Sequence, residues 1–171
     1  MISTCAIIIT CIVLFILFNT GKISVDEYMT SYYSAIRNRQ YWRFITHSFS
    51  HYTILHLALN MIALWSVGSS MERALGPVKF FALYLLFSVV TGIVSALYHQ
   101  NGGGSIGASG AICGFIGISF ALVIRFYGFG GILQIIPSLI PMIVMSFFPQ
   151  IDTSSHVTGI IIGFIMGFLI F

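Results

Sequence analysis

The chain has 171 residues, of which 58% are hydrophobic and 6% charged, with a net charge of +3 and a mean hydropathy of +1.02. Soluble domains carry about 25% charged residues, so this composition excludes an ordinary soluble core and fits a lipid bilayer as solvent. The small, scattered positive charge gives no reason to expect a nucleic-acid partner, and Cys5, Cys11 and Cys113 lie in apolar runs with neither metal-ligand spacing nor a disulfide framework.

A membrane span needs about 17 to 25 mostly apolar residues, and six such stretches follow one another. The first, residues 2–18, has no basic residue before it and no small-x-small site after it, which favours a span over a cleaved signal. A long loop to about residue 53 comes next and holds four of the seven basic residues, Lys22, Arg37, Arg39 and Arg43. Its mix of aromatic and charged residues suits an interfacial hairpin or amphipathic helix, and a loop of this length has structure or function of its own. The second span is residues 54–71, ending at Glu72-Arg73, and the third is residues 79–98. The fourth is residues 109–125, and the fifth is residues 132–148, with Pro137 and Pro141 to bend it. The sixth, residues 156–171, is short, and the chain stops inside it, so a minimal core or a piece of a longer protein is expected. Arg73, Lys79 and Arg125 place the loops after the second and fourth spans, and both termini, in the cytoplasm, against the vote of the basic first loop.

Polar groups inside a span are costly, about 2.5 to 3.5 kcal/mol for a full charge at the bilayer centre, and are functional hypotheses by default. His56 and Asn60 in the second span are four residues apart and share a helix face. Ser109 opens the fourth span and His156 the sixth. Spans two, four and six run in the same direction, so all four side chains lie near one bilayer face. Gly159, Gly163 and Gly167 follow His156 on one stripe, and Gly110, Gly114, Gly117 and Ala121 form another on the fourth span. Small residues at such spacing let membrane helices pack backbone to backbone. If the stripes meet, Ser109 and His156 come into hydrogen-bond reach as a nucleophile and its base. The free N–H groups of a helix N-terminus, with His56 and Asn60, then supply donors for an oxyanion.

Each feature also has a plainer reading. Gly107-Ala108-Ser109-Gly110 serves helix packing as readily as catalysis, and a histidine at a helix end is often just an interfacial residue. His56 and Asn60 can simply bridge helices. His47, His51 and His56 do not make a metal site, since two lie in the loop and no carboxylate or thiol joins them. Asp152, four residues before His156, could orient that histidine, but a solvated loop residue is the expectation. The coincidence of these features on one membrane face favours the catalytic reading.

Several stretches, in order, carry a resemblance over nearly the whole chain: Tyr41-Trp42-Arg43, "HSFSHYTILHLALNM" with His47, His51, His56 and Asn60, Glu72-Arg73 with Leu75-Gly76, "GASG" at 107–110, and "HVTGIIIG" at 156–163. The sequence resembles the rhomboid intramembrane serine proteases. That resemblance implies an all-α membrane fold, a single core domain over residues 1–171 with six spans and a long first loop lying partly in the membrane. It implies a Ser109–His156 dyad without a third acidic member, and an oxyanion site of Asn60, His56 and the Ser109 amide. It implies that Trp42 and Arg43 shape the first loop, that residues 147–155 cap the site, and that the fifth span is the mobile element at substrate entry. Gly107, Gly110, Gly159 and Gly163 support the dyad. Cys113 stands where many relatives have an aromatic residue against the catalytic histidine, which would orient His156 less firmly. The expected partners are single-span membrane proteins within the bilayer, with no cofactor. A non-enzymatic rhomboid-like protein that binds transmembrane helices for trafficking or degradation is the alternative, and a small transporter is a weaker one because no inverted repeat or charged pore lining is visible.

Overall fold

A computed structural model describes residues 1–137, 140 and 151–171. The described residues form α1 (Ile2–Asn19), α2 (Arg43–Thr46), α3 (Ile54–Ala63), α4 (Ser69–Leu75), α5 (Pro77–Tyr98), α6 (Ser109–Tyr127) and α7 (Thr153–Ile170). A π-helical turn, Leu64–Gly68, joins α3 to α4, so Ile54–Leu75 is one membrane-length unit. Among the described residues, five helices are long and apolar enough to cross a bilayer: α1, the α3–α4 unit, α5, α6 and α7. The expected fifth span, residues 132–148, lies largely outside the described residues, and its first positions belong to a 3-10 turn, Phe129–Ile135.

The ends of these helices follow from local chemistry. Thr53 caps α3, its hydroxyl accepting from the His56 N–H at 3.1 Å. Gly76, at φ +78°, stops α4, and Pro77 starts α5, where its missing N–H costs nothing. Asp152 caps α7 by accepting from the Ser155 N–H. Helix α7 therefore begins at Thr153, three residues before the start expected at His156.

The core sits around α6, which is buried without a break from Ser109 to Ile118. Phe115 of α6 stacks on Phe80 at 4.6 Å and meets Phe87 edge-on at 5.4 Å, both from α5. On its other side α6 meets α7 backbone to backbone. A Cβ on Gly159 or Gly163 would strike the carbonyl oxygens of Gly110 and Gly114, and one on Gly117 would strike that of Ile160. The two glycine stripes therefore form one seam, with no room for a side chain between them.

Glu72 corrects the expected end of the second span. The helix continues to Leu75, and Glu72 is buried. Its carboxylate accepts from the Thr4 hydroxyl at 2.6 Å and from the N–H groups of Thr4 and Ser3 at 2.8 and 3.0 Å. It thus occupies the N-terminus of α1, where free N–H groups and the helix dipole favour an anion. A charge that reads as a span boundary is a bond between helices.

Candidate active site

Ser109 is the first residue of α6 and His156 the fourth of α7, and the seam brings both helix ends together. The Ser109 hydroxyl and His156 Nε2 are 2.7 Å apart, and both residues are buried, at 7% and 9% exposure. With the proton of the ring on Nδ1, Nε2 accepts from the hydroxyl, the geometry of a nucleophile facing its base. Ser109 opens onto a cavity of about 490 Å³ whose wall also includes His56, Tyr52, Met29, Ser105 and Asp152.

His56 and Asn60 stand on the adjacent face of α3. Their position relative to Ser109 is fixed by Gly107, whose φ is +109°. A Cβ built there would lie 2.7 Å from His56 Nε2 and 3.8 Å from Asn60 Nδ2. The backbone two residues before the serine therefore runs directly against both side chains, and only glycine fits. Asn60 is fully buried, and its Nδ2 donates to the His56 carbonyl at 2.9 Å. The Gly107 N–H donates to the His47 carbonyl at 2.8 Å, tying this loop to the first one.

The supporting residues fall into separate places. Arg43 is buried, and its Nη1 donates to the carbonyls of Asp26 and Met29 at 2.6 and 2.8 Å while Nε donates to Gln40 Oε1 at 2.6 Å. It holds the first loop closed on itself. Trp42 is 57% exposed. Gly110 faces Thr91 of α5 and Ser155 of α7, and Gly159 and Gly163 lie on the seam. Cys113 is buried one turn below Ser109, against Gly159.

The loop histidines are neutral scaffolding. His47 Nε2–H donates to the Ser88 carbonyl at 3.1 Å, and burial pushes its pKa down to about 4 against the pull of that bond. His51 packs edge-on to His56 at 5.0 Å. Burial, reinforced by the neighbouring His56 ring, lowers its pKa to about 3.

Three features escape sequence reasoning. Thr30 and Ser105 exchange both backbone hydrogen bonds, at 3.0 and 2.9 Å, an antiparallel bridge that fastens the first loop to the loop before Ser109. Tyr52, on the cavity wall, donates its hydroxyl proton to Asp26 Oδ1 at 3.0 Å. Asp152 is not the solvated loop residue expected: its side chain is 9% exposed, and it accepts from His99 Nε2–H at 3.2 Å. Only its offset from His156 was a usable signal.

Comparison with known proteins gives the family. The Rhomboid domain family model matches residues 38–171. The chain is 28% identical over 177 residues to "Rhomboid protease GlpG" of Yersinia pestis (strain Pestoides F), covering 96% of this chain and 61% of that protein. The GlpG of Yersinia pseudotuberculosis serotype O:3 (strain YPIII) matches with the same values. "RHOMBOID-like protein 5" of Arabidopsis thaliana is 33% identical over 135 residues, 75% of this chain and 44% of that protein. The chain thus spans about three-fifths of the length of these GlpG relatives. A family model that takes in most of the chain, including every residue of the Ser109 and His156 cluster, leaves one conclusion: this is an integral, multi-pass membrane protein, and it belongs to the rhomboid family.

Proposed function

We propose that this protein is an intramembrane serine endopeptidase that cleaves transmembrane segments through a Ser109–His156 dyad. The observation that carries the reading is the 2.7 Å contact between Ser109 Oγ and His156 Nε2 at the edge of a cavity. His156 takes the hydroxyl proton as Oγ attacks a substrate carbonyl carbon, and returns it to the leaving amide nitrogen when the C–N bond breaks. Water then enters and gives a proton to His156 as its oxygen attacks the acyl carbon, and that proton passes to Ser109 Oγ when the C–Oγ bond breaks. The Ser109 N–H, free because it opens α6, joins Asn60 Nδ2 and His56 Nε2 in holding the oxyanion. Each such donor is worth about 10²- to 10³-fold in rate.

A helical substrate hides its carbonyls in its own hydrogen bonds, so the scissile stretch must unwind to reach the cavity. Substrates are single-span proteins with helix-weak residues near the bilayer face that holds the dyad. The mostly apolar wall, with Met29, Leu59 and Ile106 beside the polar groups, suits such a segment. The test uses purified Ser109→Ala and His156→Ala with a single-span model substrate, and a fluorophosphonate probe on the unaltered protein. Cleavage and labelling should vanish in both variants. Wild-type cleavage by either one removes the dyad.

A further inference from the structure

The N-terminus of α7 is built around a carboxylate outside the Ser109–His156 contact. Asp152 Oδ1 accepts three hydrogen bonds, from the Ser154 hydroxyl at 2.6 Å, the Ser155 N–H at 3.2 Å and His99 Nε2–H at 3.2 Å. Oδ2 is buried as well. Burial works to raise the carboxyl's pKa, but the donors, the Ser154 hydroxyl foremost, outweigh it and hold it below the ordinary value. The group is therefore an anion, fixed in position and lining the same cavity as Ser109.

His156 lies one turn along α7, its N–H bonded to the Asp152 carbonyl at 3.3 Å. The first turn of a helix carries roughly half a positive charge. That field opposes the imidazolium that must form when His156 takes the serine proton. A carboxylate anchored at the same helix end reverses it. The pairing partner, His99, caps the end of α5 and donates to the same carboxylate oxygen as the α7 cap, so it fixes where that charge sits. The other titratable groups that act on these residues are neutral His47 from the first loop, which feels Asp152, and His56 from α3, which feels His156.

Resting on the dyad reading, we propose that Asp152, held by His99, is a positioning and electrostatic residue of the reaction that stabilises the imidazolium of His156. The proton still passes from Ser109 Oγ to His156 Nε2 and on to the leaving nitrogen. Asp152 takes no proton. In this chain a dyad is supported by a carboxylate delivered from its own helix cap.

The test is the pH–rate profile of purified wild type, Asp152→Asn and His99→Gln on a single-span substrate. Asn keeps the cap and removes the charge. Its kcat should fall about tenfold with KM unchanged, and the acid limb should move about one pH unit lower. Gln keeps a donor to Asp152 and leaves its charge in place, so the acid limb of His99→Gln should stay within about 0.3 pH unit of wild type. A limb that moves in one variant and stays in the other is a signature that loss of structure does not produce. A limb that stays put in Asp152→Asn overturns the proposal, whether or not the rate falls. Should thermal melts show Asp152→Asn unfolded, Asp152→Ser, which also keeps a cap and removes the charge, takes its place, and an unmoved limb there overturns the proposal. Either result leaves the dyad standing, whereas wild-type cleavage by Ser109→Ala fells the dyad reading itself.

Discussion

Gly107→Ala places a single methyl group where the structure has least room for it. The added Cβ would lie 2.7 and 2.8 Å from His56 Nε2 and Cε1, inside any ordinary contact. His56 has little freedom to retreat, because Thr53 caps its backbone and His51, itself buried, packs on its ring. Alanine must also adopt the φ of +109°, at a cost of about 1 to 3 kcal/mol. Displacing His56 removes one of the proposed oxyanion donors, worth about 10²- to 10³-fold in kcat. The expected outcome is a folded protein, slightly less stable, with kcat reduced by that factor. Gly102→Ala is the control, since Gly102 has φ +132° in the same loop but nothing within 4 Å of its would-be Cβ. It carries the strain without the collision. The assay is cleavage of a single-span substrate in detergent, with thermal melts of each variant. Gly107→Ala within about threefold of Gly102→Ala in kcat would refute the placement of His56 at the oxyanion.

Gly163→Ala drives a methyl into the Gly114 carbonyl and should cost about 1 to 3 kcal/mol in melts, while Gly130→Ala, with open space around it, should leave the melt unchanged. Glu72→Ala strands the buried Thr4 hydroxyl and two N–H groups of α1, and should destabilise by about 3 kcal/mol, read by denaturant titration in micelles. Stability should also fall on acidification. His47 and His51 have folded pKa values depressed to about 4 and about 3, so the unfolded chain binds more protons below its ordinary histidine value of about 6.5. Their contribution is whole above that pH and is lost as pH drops toward the folded values, about 3 to 5 kcal/mol apiece. A melting temperature constant from pH 7 to pH 4 would contradict this, and His51→Gln should flatten part of the slope.

Much of the site was legible because it obeys helical periodicity. His56 and Asn60 at i and i+4, and glycines at every third or fourth position after Ser109 and His156, declare shared faces before any coordinates exist. What escaped were contacts whose partners lie far apart in sequence or outside a repeat. Glu72 reads as a span boundary because a charge beside an apolar run ordinarily meets water, yet its partners sit 68 and 69 residues away on α1. Asp152 misled for the same reason, its imidazole partner being 53 residues back on α5. The Thr30–Ser105 bridge joins two loops with no periodic signal in either. The π turn at Leu64–Gly68 leaves no mark in hydropathy, since an extra residue in a turn does not make an apolar helix less apolar.

The arrangement divides its work between two kinds of structure. The α6–α7 seam sets the distance between Ser109 and His156, and it does so with backbone atoms in contact, which leave no rotamer to relax. The loops set the charge and the donors: Gly107 against His56, the His47 carbonyl on Gly107, and His99 on Asp152. Perturbations of the two should therefore separate in measurement. A seam substitution moves the melting temperature first, and activity follows in proportion to the fraction folded. A loop substitution moves kcat and its pH dependence at an almost constant melting temperature. A seam variant that kept its melt but lost kcat would show that the glycines tune the chemistry directly, and the division would have to be redrawn.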